Sequence, residues 1–160
     1  MPQNPTYSCY LGAQGWQHAD WQGAFYPDDL PPDWQLAYYN NFFGCVYLGH
    51  AEWRAASLAT WRARLDDMQP QFRLLLETPA NLDDAAREIL TLLAPYIALR
   101  IDTGEAPPEL IWFDRQSELK PLAQAITRAR ADTWSIFLIS RDSDLGKIEQ
   151  VRTLLEVLGC

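Results

Sequence analysis

Short apolar runs alternate with amphipathic segments along this chain, and the alternation predicts a parallel α/β fold. Five apolar runs have the length of buried strands: 7–12, 45–48, 72–76, 96–101 and 134–139. The segments between them carry apolar residues at helical spacing. Regular strand–helix alternation predicts a parallel sheet with right-handed crossovers and flanking helices.

Capping residues mark the predicted starts of the helices. Asp33, Ser57, Asn81 and Ser143 each precede an amphipathic segment and can accept a hydrogen bond from its first turn. The segment 103–116 is the least regular part of the chain. We predict a long connection there, although its residues 110–113 are all apolar.

Aromatic residues concentrate in the first third, where fourteen of the twenty lie between Tyr7 and Trp61. Residues 20–27 read DWQGAFYP, after Gly15-Trp16 and before a Leu-Pro step and the run WQLAYY at 34–39. These motifs resemble the YecE-like family (domain of unknown function 72) over residues 10–43. The resemblance implies a TIM-barrel fold, and the family has no settled activity to carry over.

The length of the chain conflicts with a complete barrel. An eight-fold barrel needs about 250 residues and rarely fewer than 200, whereas this chain has 160. We therefore expect one truncated TIM-barrel-like domain over 1–160, with about five strand–helix units and roughly the last three units missing. Open sheet edges are normally covered or paired, so we expect a second copy or the C-terminal helix to close the gap.

Several polar positions of the family are replaced here. The family's second strand resembles TVEINSTFY, and the corresponding run CVYLGHAEW places Tyr47 at the position of its Glu and Gly49 at that of its Asn. Glu77 stands where the third strand of the family ends in Lys. Of the family's EFRH in the fifth strand, only Arg141 is kept. TIM-barrel enzymes carry their catalytic residues at the C-terminal ends of the strands. This pattern therefore resembles an active site that has lost its catalytic residues.

The remaining polar residues at the predicted strand ends, with aromatic residues of the first loop, form the candidate pocket. Its members are Trp16, His18, Trp21, His50, Glu52, Glu77, Arg100, Asp102, Arg141 and Asp142. Carboxylates with a histidine can bind a divalent metal or transfer protons, but polar residues are also the default in solvated loops. No ligand spacing is distinctive, so we predict no metal site, and the sequence identifies no cofactor.

Two members of this set have structural alternatives. Trp16 and Trp21 could line a ligand cleft, or they could pin the long first loop, which Pro27 and Pro31 favour. Arg100 is expected to form an ion pair with Asp102 or Glu77 rather than an anion site.

Charge and cysteine content narrow the classes of function. The net charge of −8 with scattered basic residues argues against nucleic-acid binding. No apolar stretch is long enough to span a membrane, and MPQNPTYS lacks the features of a secretory signal.

Cys9 and Cys45 lie in apolar runs that favour buried small side chains over a redox role, and Cys160 could oxidise artefactually. This usage predicts a reducing cytoplasm.

Two functional hypotheses remain. The first is a non-catalytic relative that acts by binding or by self-assembly as a homodimer. The second is a metal-assisted hydrolase or isomerase that acts on a small anionic or sugar-like substrate through the strand-end residues.

Overall fold

A computed structural model describes residues 8–160 of the chain. Residues 1–7 lie outside the described residues. They include Tyr7, where the first predicted strand begins, and all of the segment MPQNPTYS except Ser8. The strands are β1 (Ser8–Gln14), β2 (Cys45–Leu48), β3 (Arg73–Glu77), β4 (Ile97–Ile101), β5 (Leu110–Phe113) and β6 (Ser135–Ser140).

The helices of the described residues separate most of these strands. They are α1 (Gln35–Phe42), α2 (His50–Ala55), α3 (Leu58–Leu65), α4 (Asp84–Leu93), α5 (Leu119–Asp132) and α6 (Leu145–Val157). Hydrogen-bonded strands run parallel to each other. This confirms the predicted α/β fold, a parallel sheet with flanking helices in an incomplete TIM-barrel-like arrangement. Within residues 8–160, every helix is too short or too polar to cross a membrane.

The chain forms two compact units, which we call the 15–105 unit and the split unit. The 15–105 unit contains β2, β3 and β4, with β3 in the middle. Val46 pairs with Leu74, and Leu76 pairs with Arg100, across a register shift at Leu74/Leu75. The split unit combines β1 with residues 106–160, and β6 lies between β1 and β5.

The strand β5 corrects the prediction of a long connection over 103–116. Its four residues pair with the C-terminal half of β6, from Leu110 opposite Phe137 to Phe113 opposite Ser140. The apolar run 110–113 was therefore a sixth strand. It was missed because four residues give no clear periodicity, and the partner that fixes them lies more than twenty residues away in sequence.

The pairing of the split unit also corrects the expected site of truncation. In a closed barrel the last strand pairs with the first. Here β6 pairs with β1 over six positions, and β5 pairs with β6. These two strands thus occupy the places of the last two barrel strands, and the missing units belong between β4 and β5 in the chain.

An aromatic cluster fills the core of the 15–105 unit. Trp21 is fully buried and its ring stacks on Tyr39 and Phe43, with centroids 6.2 and 5.9 Å away. The polar atoms of the cluster are satisfied: the Tyr39 hydroxyl donates to the Cys45 carbonyl at 2.7 Å, and the Tyr26 hydroxyl donates to the Trp16 carbonyl. Burial raises the pKa of Tyr26 above its ordinary value.

The helix caps agree with the sequence at one of four predicted positions. Ser57 caps α3 by accepting from the Thr60 N–H at 3.1 Å. Asp83, not Asn81, caps α4, and Asp144, not Ser143, caps α6. Asp33 lies in a 3₁₀ turn before α1 and caps nothing there.

The cysteines differ from expectation in one respect. Cys45 is fully buried, as predicted, and burial raises the pKa of its thiol. Cys9, however, is only half-buried and forms a disulfide with Cys160, with Cα atoms 5.5 Å apart. The interpretation of Cys9 as a buried small side chain was wrong, because its partner is 151 residues away and no local pattern indicates the pairing.

Candidate functional site

The carboxyl ends of β2 and β3 bring His50 and Glu77 together. Gly49 is the N-cap of α2 and has no side chain to bind the first amides of that helix. The Glu77 carboxylate, from the neighbouring strand, accepts from the His50 backbone N–H at 3.3 Å. The buried Trp53 indole donates to the Glu77 carbonyl at 2.8 Å. Glu77 therefore anchors α2 to the strand ends.

Tyr47, which we treated as the loss of a family carboxylate, is part of the same group. Its side chain is buried, and its phenol hydrogen-bonds to Glu77. Burial raises the pKa of Tyr47, and the adjacent Glu77 carboxylate raises it further. Sequence reasoning missed this residue because a tyrosine in an apolar strand carries no chemical signal until its neighbour is known.

Glu52 points from α2 towards the turn after β1. The residue as a whole is exposed, but its carboxyl group is covered, because a Cβ at Gly15 would lie only 2.6 Å from its Oε2 atom. Gly15 also has a φ of +76°, which favours glycine. Desolvation raises the pKa of Glu52, against the opposing effects of the Gly49 backbone and the Arg64 charge.

His18 and Trp21 have local packing partners. The His18 Nε2 atom lies 3.0 Å from the Gly15 carbonyl oxygen, and the imidazole lies 4.4 Å from the Trp21 ring. Trp21 has no exposed surface. These contacts hold the first loop, and Trp21 presents no surface to a cleft.

A groove of about 490 Å³ lies beside this loop in the 15–105 unit. We call it the Trp34 groove and define it by Trp16, Gln17, Asp33, Trp34, Arg64 and Asp67. Two walls come from the 3₁₀ turn before α1 and from the C-terminal part of α3. Trp16 is 5% exposed, whereas Trp34 is 65% exposed and presents its indole to solvent.

The guanidinium of Arg64 packs against two indoles at this groove. Its Cζ atom lies 5.1 Å from the centroid of Trp16 and 4.6 Å from that of Trp61. The two rings meet edge to face at 6.4 Å. Burial lowers the pKa of Arg64, while the charges of Asp33 and Glu52 act in the opposite direction. In the described part of the chain, its side chain has no hydrogen bond or ion pair.

Sequence analysis did not select Arg64 or Trp34. One local signal existed: Trp61 and Arg64 are three residues apart on α3 and so lie on one face. The second ring, Trp16, comes from a distant loop, and only the fold brings it to the guanidinium.

Arg100 and Asp102 lie apart from this groove. Both residues are exposed. The expected ion pair from Arg100 to Asp102 or Glu77 is absent among residues 8–160. That prediction was wrong, because Arg100 lies on β4, which pairs only with β3 among the described residues, and its side chain is exposed to solvent.

Arg141 and Asp142 make their contacts within the split unit. The Arg141 guanidinium lies 5.0 Å from the Trp112 ring centroid. Asp142 accepts from the Arg115 backbone N–H at 2.8 Å and from the Asp144 N–H at 3.3 Å. Asp142 thus organises the turn before α6. Across the described residues, no three His, Cys, Asp or Glu side chains are grouped to hold a metal ion.

Comparison with known proteins identifies the family. Residues 10–125 match the family described as a protein of unknown function, DUF72. The solved structure of a DUF72 family protein from Thermotoga maritima matches with a TM-score of 0.59 and 14% identity, over 94% of this chain and 100% of that chain. No curated protein matches the sequence. The fold is thus shared with the solved structure, and the resemblance noted in the sequence is confirmed. From the match over most of its length, this chain belongs to the DUF72 family.

Proposed function

We propose that this chain acts by binding a small molecule in the Trp34 groove, without catalysing a reaction there. The observation that carries the proposal is Arg64, whose guanidinium packs against Trp16 and Trp61 and has no hydrogen-bond or ion-pair partner in the described chain. A donor held in place before a ligand arrives costs little entropy on binding.

The dimensions and composition of the groove support binding. Its volume of about 490 Å³ falls within the range of roughly 300–1,000 Å³ that is typical of ligand pockets. Trp34 is a large aromatic side chain left 65% exposed, and aromatic walls with a few polar groups are common in such sites.

The strand ends support a non-catalytic role. Glu77 is engaged by the backbone of His50 and by the phenol of Tyr47. A carboxylate with these partners serves to hold α2 in place. The family's ionisable residues at neighbouring positions are replaced in this sequence, which points in the same direction.

Self-association is a further part of the proposal. Among the described residues, β4 pairs only with β3 and β5 pairs only with β6. Edge strands in stable proteins are normally covered or paired, so we expect a homodimer in solution.

Native mass spectrometry of protein purified from cells without reductant, which keeps the Cys9–Cys160 disulfide intact, tests the proposal. Parent protein should carry the extra mass of a small molecule, and Trp34→Ala should lose it. Trp134→Ala is the matched control, because Trp134 is 66% exposed and belongs to the split unit. Bare parent protein that shows no Trp34-dependent ligand in a metabolite screen would refute binding, and a monomeric mass would refute the dimer.

A second candidate, an enzyme, is favoured by one observation. The Tyr47–Glu77 hydrogen bond and the raised pKa of Tyr47 are of the kind found at proton-transfer sites. If a copurified molecule changes mass on incubation, and Glu77→Gln stops the change but keeps the molecule bound, the enzyme hypothesis replaces the binding one.

A further inference from the structure

The charges around the Trp34 groove limit what it can bind. Its lining contains one cation, Arg64, and two carboxylates, Asp33 and Asp67. The whole chain carries a net charge of −8. A ligand with several negative charges, such as a phosphate ester, would meet repulsion from both carboxylates. A neutral ligand meets none.

The polar groups of the groove are mixed in kind. Arg64 only donates hydrogen bonds, the carboxylates of Asp33 and Asp67 only accept them, and the Gln17 amide does both. A ligand can satisfy such a set with groups that each donate and accept. Hydroxyl groups have this property, whereas ketones and carboxylates only accept and ammonium groups only donate.

The aromatic wall requires an apolar face on the same ligand. Trp34 lines the groove and is 65% exposed to solvent. Covering its indole removes apolar surface from water, at roughly 25 cal/mol per Å². A pyranose ring combines a flat face of C–H groups with a rim of hydroxyls. The face fits the indole, and the rim fits Arg64 and the carboxylates.

We infer that the Trp34 groove binds a neutral sugar, with one pyranose ring stacked on Trp34 and its hydroxyls bonded to Arg64 and Asp67. This inference rests on the proposed binding function and names its ligand class. The side-chain carboxylate of Asp67 is exposed in the groove, while its backbone is held by Asn40. Asp67 can therefore be changed without loss of the local fold.

Saturation-transfer NMR tests the inference with D-glucose, D-galactose, D-mannose and D-xylose as probes, and with inorganic phosphate and L-leucine as competitors of other classes. We expect at least one sugar to bind the parent. Trp34→Ala should weaken that binding by about tenfold or more, and Asp67→Asn should weaken it as well. Trp134→Ala should bind like the parent.

The outcomes separate the two levels of the proposal. No binding of any of these sugars to the parent, or binding that Trp34→Ala leaves unchanged, overturns the sugar assignment. If phosphate or L-leucine binds instead and Trp34→Ala abolishes that binding, the sugar class fails while the binding function stands. If no probe and no copurified molecule depends on Trp34, both fail.

Discussion

The side-chain amide of Asn40 donates to the backbone carbonyl of Asp67 at 2.9 Å. The same side chain accepts from the Gln69 N–H at 3.0 Å and donates to the Leu36 carbonyl at 2.7 Å. Asn40 is 6% exposed; its bond to Leu36 is buried, and its bonds to Asp67 and Gln69 are partly buried. They tie α1 to the turn after α3, and thereby hold the two walls of the Trp34 groove at a fixed separation.

Asn40→Ala should lower the free energy of unfolding by about 1–3 kcal/mol, because it removes these bonds and leaves partly buried backbone groups of Asp67 and Gln69 without partners. Urea unfolding measures the change. Asn41→Ala is the control, since Asn41 is the exposed neighbour and bonds only to the side chain of Gln69 among the contacts described. Equal stabilities of Asn40→Ala and Asn41→Ala would show that the side-chain hydrogen bonds of Asn40 do not stabilise the fold.

Gly15→Ala should destabilise the protein for two separable reasons. Its φ of +76° is unfavourable for alanine by roughly 1–2 kcal/mol, and the new Cβ would lie 2.6 Å from the Glu52 carboxylate. Gly104 also has a positive φ, of +87°, but nothing lies within 4 Å of its Cβ position. Gly104→Ala thus measures the backbone cost alone.

The loss of stability at Gly15 beyond the backbone cost should fall when Glu52 is shortened in the double variant Gly15→Ala/Glu52→Ala. Thermal denaturation of the parent, the two single variants and the double variant gives the coupling free energy between the two positions. A double variant that is no more stable than the additive sum would contradict a clash with Glu52.

The Glu52 carboxyl predicts a pH dependence of stability. Its pKa is raised in the folded state, mainly by desolvation, so folding favours the protonated form. That contribution is fully present below the ordinary Glu pKa of about 4.3 and is lost as the pH rises through the raised folded-state pKa. A glutamine side chain does not ionise, so Glu52→Gln does not lose stability in this way as the pH rises. The free energy of unfolding of the variant should therefore increase relative to that of the parent between acidic and neutral pH.

Urea titrations over this pH range measure the difference. Glu88→Gln, at an exposed position of α4, is the control and should follow the parent. If the free energies of unfolding of Glu52→Gln and of the parent differ by the same amount at every pH, the Glu52 carboxyl group is well solvated.

The disulfide between Cys9 and Cys160 should contribute strongly to stability because it closes a long loop. The chain-entropy relation gives about 5 kcal/mol for a loop of that length, and measured values are typically 2–4 kcal/mol. Cys9→Ser and Cys160→Ser should each lower the melting temperature under oxidising conditions. Reductant should lower that of the parent to the same level.

Thiol labelling supplies an internal control for this prediction. Cys45 is fully buried and should react only after denaturation. Native, unreduced parent protein should show no reactive thiol among its three cysteines. Two thiols that label readily without reductant would mean that the bond does not form in solution.

Local sequence signals predicted structure well where the partner was also local. The Ser57 cap is correct because its acceptor and its donor are three residues apart. Asn81 and Asp83 are both capping residues by type, and nothing local separates them. The structure selects Asp83, which also forms an ion pair with Arg54 at 2.8 Å. That contact joins two helices and has no signature in sequence.

The candidate site shows the same division. His50, Glu52 and Glu77 were selected because strand ends in a parallel sheet share one edge, and His50 and Glu77 do meet. Arg64 was missed because one of the two indoles against which it packs, that of Trp16, lies far away in sequence. Arg141 was selected as a polar residue at a predicted strand end, yet its partner Trp112 belongs to a strand that the pattern did not predict.

The pairing of β6 with β1 has a consequence for how such a chain can be lengthened or shortened. Removal of two internal strand–helix units from an eight-stranded barrel would leave this pairing of the first and last strands intact. The connection from β4 to β5 is then a natural insertion point. Two grafted strand–helix modules between them would extend the chain while every existing hydrogen-bonded register stays as it is.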